Sequence, residues 1–170
     1  MVDGAAFSPR TEAALSRAEA SCAARGVRLT ALRRDVLGMI LDAETPTGAY
    51  DLLERLRRSR GGAAPPTVYR ALDFLRAQGL VHRVERLAAF VGCVAAAAPA
   101  PHAHPAQFLI CRACGRATEI DDPALAHALE EAALRHGFAV ARSTIEAEGR
   151  CAACAAAPAP TVAKEHTACP

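Results

Sequence analysis

Two Cys-x-x-Cys pairs, Cys111-Arg-Ala-Cys114 and Cys151-Ala-Ala-Cys154, constrain this chain more than any other feature. Two residues between cysteines form a tight turn that aims both sulfurs at one point, and two such turns complete a tetrahedron. Four thiolates exceed the charge of one Zn2+ and leave no position for water. The expected site is therefore a structural zinc, and it ties together the two ends of a small unit. A single pair would leave redox thiols open as a reading; two pairs in one short segment argue for metal. Composition agrees. About half the chain is apolar, but alanine supplies much of that and only 4% is aromatic. A core so poor in large side chains needs a staple.

Ahead of the cysteines the pattern is helical. Ser8-Pro9 reads as a cap followed by proline at the first helical position, with Leu15, Ala18 and Cys22 on one face and Gly26 at the end. Thr30 opens a second helix carrying Leu32, Val36, Leu37 and Ile40. A third begins near Thr47, carries Leu52, Leu53 and Leu56, and stops at Gly61-Gly62. Pro65-Pro66-Thr67 opens a fourth, with Val68, Leu72 and Leu75 inward and Gly79 closing it. Residues 80–85 and 89–93 then read as a hairpin. Four short helices followed by a hairpin outline a winged helix-turn-helix with the fourth helix as the recognition helix. Val68, Leu72 and Leu75 take the core, so Thr67, Tyr69 and Arg70 project where such a helix meets base edges. Arg28, Thr30 and Arg33, at the start of the second helix, are candidates for phosphate contact. An ordinary amphipathic helix would show the same polar face; the hairpin is what favours DNA binding.

The expected fold is α+β: an N-terminal winged helix-turn-helix DNA-binding domain over 1–92, an Ala/Pro linker or hinge over 93–105, and a small C-terminal α/β dimerisation domain over 106–154. Residues 155–170, rich in Ala and Pro, are expected to be a disordered tail. In the second domain, 107–111, 116–120 and 138–146 read as strands and 123–136 as a helix with Leu125, Leu129 and Leu134. A unit this small exposes sheet edges and must dimerise or be stapled.

A second group of metal-ligating types, His82, Cys93, His102, His104 and Glu119, lies on the hairpin, the linker and the first strands beyond it. Each alone reads equally as a surface or core residue. Together, two His, one Cys and one carboxylate make a tetrahedral zinc site, softer than an iron(II) site of His and carboxylate alone.

Residues 1–92 carry 14 Arg against 10 acidic residues, a net of +4, and residues 93–170 carry 6 Lys/Arg against 8 acidic residues, a net of −2. The positive half is the one read as facing nucleic acid. No stretch is long and apolar enough to span a bilayer, and the start of the chain has no basic signal region. Seven cysteines without such a signal point to a reducing, cytoplasmic setting. Neither a membrane nor a small-molecule substrate is expected as a partner. Enzyme readings fail on motif: no H-x-E precedes a P-C-x-x-C, and there is no H-E-x-x-H and no Gly-rich phosphate loop.

Val27-Arg-Leu-Thr30, Ala49-Tyr-Asp-Leu-Leu53, Pro65-Pro-Thr-Val-Tyr-Arg-Ala-Leu-Asp-Phe-Leu75, Gly79-Leu-Val-His82 and Ile145-Glu-Ala-Glu-Gly-Arg-Cys-Ala-Ala-Cys154 follow one another in order. Over residues 12–154 the chain resembles the ferric-uptake-regulator superfamily, and the wording is closest to its zinc-uptake-regulator branch. The resemblance implies a zinc-responsive transcriptional repressor, a homodimer that binds double-stranded operator DNA of zinc-homeostasis genes with two Zn2+ per monomer. It implies structural zinc on Cys111, Cys114, Cys151 and Cys154 and regulatory zinc on His82, Cys93, His104 and Glu119, with His102 the alternative to His104. It implies DNA contact at Tyr50, Tyr69 and Arg70. Ala31-Leu32 departs from the family's usual proline after the Leu-Thr pair, and the histidine-rich run of iron-sensing members is reduced to His102-Ala-His104. The alternatives are an iron, manganese or peroxide sensor of the same superfamily, and a zinc-binding interaction module that does not bind DNA.

Overall fold

The computed structural model describes residues 7–60, 64–93 and 105–156. His102, His104, the Gly61-Gly62 stop and most of the expected linker and tail lie outside the described residues.

Helix α1 (Pro9–Ala24) starts where Ser8 accepts the Thr11 amide on its hydroxyl, and it buries Thr11, Leu15, Ala18 and Cys22. Gly26 ends it at φ +70, a conformation that a Cβ disfavours. Helix α2 (Ala31–Leu41) follows Thr30, which is extended but makes no side-chain cap bond. The Thr11 hydroxyl reaches Asp42 at 2.9 Å, and this ties the first turn of α1 to the end of α2. A two-residue strand β1 (Thr47–Gly48) precedes α3 (Ala49–Arg60), so the third helix begins two residues later than its sequence suggests. Helix α4 (Pro65–Ala77) begins on the two prolines. Strands β2 (Val81–Val84) and β3 (Ala89–Gly92) flank a single 3-10 turn, Glu85–Leu87, and β1 adds to the outer side of β3. Leu15, Val36, Leu37, Leu52, Leu56, Leu72 and Leu75 fill the core under these helices.

The second sheet is built from β4 (Ala106–Cys111), β5 (Ala117–Ile120) and β6 (Thr144–Gly149), with α5 (Pro123–Arg135) as the crossover and α6 (Ala152–Ala156) at the end. Strand β4 lies in the middle, antiparallel to β5 and parallel to β6. The last strand differs from the expected 138–146. Phe138 is exposed, and the ladder pairs Ala106 with Thr144 and Cys111 with Gly149. Among the described residues the ladder begins at Ala106 and Thr144, and the Phe138–Val140 pattern lies outside the strand. This register also delivers Cys151 beside Cys111. A small apolar cluster of Val84, Phe108 and Ile110 joins the hairpin to the second sheet.

Candidate metal centres and nucleic-acid face

Cys111 ends β4 and is buried. Gly115, at φ +72, lets the chain reverse while its amide bonds back to the Cys111 carbonyl, which places Cys114 next to Cys111. The Arg112 amide bonds to the Gly149 carbonyl at 2.9 Å and fixes the exit of β6, so that Cys151 follows at once and its amide points at the Cys111 sulfur, 3.3 Å away. Cys154 is one turn further along the helix that starts there. The four sulfurs lie within 4.8 Å of one another, and Cys114 and Cys151 are 3.9 Å apart. That is far beyond a disulfide bond. It matches the edge of about 3.8 Å expected of a tetrahedron with Zn–S bonds of about 2.3 Å. Backbone amides of Cys151, Cys114 and Ala113 pull the Cys111 thiol down to about 5. Cys154 is pushed up to about 12 by hydrogen bonds to the sulfurs of Cys151, Cys114 and Cys111, and by the charge of Cys111. One thiolate forms readily and resists the ionisation of the others, which is the electrostatic demand that a divalent cation answers.

The second cluster draws on both halves of the chain. His82 sits mid-strand on β2, Cys93 follows β3 with its amide on the Leu80 carbonyl at 3.0 Å, and Glu119 lies on β5 opposite Phe108. Their ligand atoms fall within 4.8 Å of one another. His82 Nε2 is 3.1 Å from Glu119 Oε1, and the Cys93 Sγ is 4.0 Å from the same oxygen. The Glu119 side chain is only 2% exposed, so its charge needs a partner inside the protein. Phe108 meets the His82 ring edge-on, with centroids 5.9 Å apart, and fixes its orientation. Burial works against the charged imidazole, yet hydrogen bonds to Cys93 and Glu119 and the charges on both raise it from 6.5 to about 9. One nitrogen, one sulfur and one carboxylate oxygen suit zinc and leave one vertex of a tetrahedron for a further ligand.

At the other end of the helical half, the N-termini of α3 and α4 lie side by side around a hollow lined by Ala49, Tyr50, Leu53, Pro65, Val68 and Tyr69. Tyr50 is 78% exposed and Tyr69 50%. Arg70, Arg28 and Thr30 are also exposed, and Thr67 is half-buried. Arg33 behaves otherwise: its guanidinium lies 3.6 Å from the centre of the Phe74 ring and donates to the Arg28 carbonyl at 2.8 Å. It packs α2 on α4 rather than reaching outward.

The family model described as the ferric uptake regulator family matches residues 24–148. The chain belongs to the ferric uptake regulator family. Among its relatives, the zinc uptake regulation protein of Escherichia coli (strain K12) is 42% identical over 144 residues, which cover 85% of this chain and 82% of that protein. The zinc uptake regulation protein of Mycobacterium tuberculosis (strain ATCC 25618 / H37Rv) is 31% identical over 134 residues, covering 77% and 97%. A solved zinc uptake regulator complexed with zinc and DNA shares 41% identity and a TM-score of 0.79, over 85% of this chain and 95% of that one. The stretch matched to the ferric uptake regulator family includes His82, Cys93, Cys111, Cys114 and Glu119 and ends before Cys151. In this member of the family, sequence reasoning missed the contact of the hairpin turn with β6. There Glu146 and Glu148 engage Glu85 and Arg86. The available signal was two acids two residues apart, hence on one face of a strand.

Proposed function

We propose that this chain is a zinc-responsive transcriptional repressor whose zinc-loaded homodimer binds operator DNA of zinc-homeostasis genes in the cytoplasm. The carrying observation is the convergence of His82 and Cys93 from the hairpin with Glu119 from the second sheet, all within 4.8 Å. The relatives named as zinc uptake regulation proteins, and the solved complex with zinc and DNA, support the same reading.

Residues 1–92 are assigned as the DNA-binding domain, 93–105 as the hinge and 106–154 as the dimerisation domain. Cys111, Cys114, Cys151 and Cys154 hold a structural zinc that staples β4 to the end of β6. His82, Cys93, Glu119 and His104 (or its neighbour His102) hold the regulatory zinc, for two ions per chain. Zinc supplies there a divalent charge that offsets Cys93 and Glu119 and a set of bonds that only the closed arrangement of the two halves satisfies. The protein's own part is positional. Phe108 orients His82, the Cys93 amide anchors the end of β3 on Leu80, and the ladder to β4 holds Glu119. Closure then sets the orientation of Thr67, Tyr69 and Arg70 on α4 and of Tyr50 on α3, with Arg28 and Thr30 at the phosphates. The Cys93 sulfur favours zinc over the oxygen-rich coordination of an iron or manganese sensor.

Dimerisation is supported by the second half. Among the described residues, Leu109, Leu125, Leu129, Leu134 and Phe138 are all exposed, and α5 buries none of its residues. An apolar surface of this extent on so small a sheet calls for a second copy. Operator binding by Cys93→Ser at saturating zinc tests the sensor. Loss of the zinc response is expected, and wild-type affinity with a wild-type response would overturn the assignment.

A further inference from the structure

We propose that the hairpin turn is a latch between the two halves, in which Glu146 and Glu148 of β6 clamp Glu85 and Arg86 and take the wing tip away from DNA. The proposal rests on the repressor reading above and concerns residues outside both metal clusters.

The contacts form a network of charge-assisted hydrogen bonds. The Glu85 amide donates to Glu146 Oε1 at 2.7 Å, and the Arg86 amide donates to Oε2 of the same carboxylate at 3.1 Å. The Arg86 guanidinium forks onto Glu148: Nε is 2.9 Å from Oε1 and Nη2 is 3.1 Å from Oε2. Glu146 and Glu148 alternate with Ala147 on β6, so both project from one face toward the turn. The turn is shaped to receive them. Ala88 takes φ +47, an uncommon value for a residue with a Cβ, and closes the 3-10 turn with its amide on the Glu85 carbonyl. The Glu85 carboxylate is drawn to Arg83 Nε at 3.3 Å, which offsets its charge beside Glu146. Beneath the turn, Val84 packs with Phe108 and Ile110.

A forked arginine-carboxylate pair has fixed geometry, and the two backbone amides are the very donors a wing would offer to phosphate. Occupied in this way, the turn cannot also grip DNA. It lowers the free energy of the closed arrangement without any metal, so less differential affinity is required of the regulatory site to complete closure. Exposed ion pairs are individually weak, but a bidentate pair combined with two amide donors forms a coupled set.

The test uses the full-length dimer carrying Glu146→Gln and Glu148→Gln together. In metal-free protein, hydrogen exchange of the Glu85 and Arg86 amides is expected to speed up about fivefold or more relative to wild type, as loss of such a network implies. The free zinc needed for half-maximal operator occupancy is expected to rise by a similar factor, with operator affinity at saturating zinc unchanged. Arg86→Ala cuts the clamp from the other side and should shift the zinc midpoint in the same direction. Wild-type exchange at both amides in a variant that melts like wild type would overturn the latch. So would a loss of operator affinity at saturating zinc, since that gives the wing tip to DNA. If wild-type protein itself shows no zinc dependence, the repressor reading fails, and the exchange comparison still decides the latch.

Discussion

His82 gives the most searching prediction, because its environment combines opposing effects that can be removed one at a time. Burial alone would drive the imidazole below its ordinary 6.5; hydrogen bonds to Cys93 and to Glu119, 3.1 Å away, together with their charges, bring it to about 9 instead. Glu119→Gln removes one charge and weakens one hydrogen bond but leaves Cys93, so His82 should fall from about 9. Adding Cys93→Ser removes the second charge while burial still opposes the charged imidazole, so in the double variant His82 should fall further. The assay is the His82 ring-proton shift in metal-free protein, followed by NMR from below 6.5 to above 9. The sign for stability follows from the raised value. The charged pair stabilises the metal-free fold fully below 6.5, and that contribution is lost as pH rises through about 9. For metal the sign reverses. A ligand nitrogen must shed its proton, so zinc affinity at this cluster should fall about tenfold for each pH unit of acidification per proton displaced. A His82 that still titrates near 9 in the double variant would refute this account of the cluster.

Cys154→Ser should release the tightly held zinc, leave only the weaker ion and lower Tm, since the staple between β4 and the end of β6 is gone; metal analysis and calorimetry check this. Arg70→Ala should cost about 1–3 kcal/mol on specific operator and blunt base discrimination, as read by fluorescence anisotropy against specific and scrambled duplexes. Leu134→Glu with Phe138→Glu places two charges on the exposed apolar face beside α5. Sedimentation should show monomer at concentrations where wild type is dimeric, with operator affinity reduced along with it.

Much of the helical half was legible because its signals are local. Ser8 marks one helix start by cap chemistry and Pro65-Pro66 another by proline at the first helical positions, and the spacing of Leu15 to Cys22 and of Val68 to Leu75 marks the buried faces. The sulfur cluster was legible from spacing alone. The last strand was not, because strand pairing is non-local: Phe138 and Val140 have the pattern of a strand, but β4 supplies its partners only from Thr144 onward. The two residues of β1 fall below any periodicity, and they belong to a strand only because Phe90 and Ala89 lie opposite. The approach of Glu119 to His82 follows from a register and an interface that no spacing encodes; residue types put both in a candidate group, and the family resemblance narrowed that group to a ligand set. Arg33, a phosphate candidate by position, also lies over the ring face of Phe74, a contact that its spacing does not encode.

The central claim is that one ion staples the second sheet while another, shared between the two halves, switches operator binding. Zinc per chain, measured together with operator affinity as chelator is raised, tests it most directly. Two zinc ions per chain are expected, one removed by mild chelation in step with a reversible loss of operator binding and the other retained. One ion per chain, or operator binding that persists unchanged when the weaker ion is gone, would contradict it.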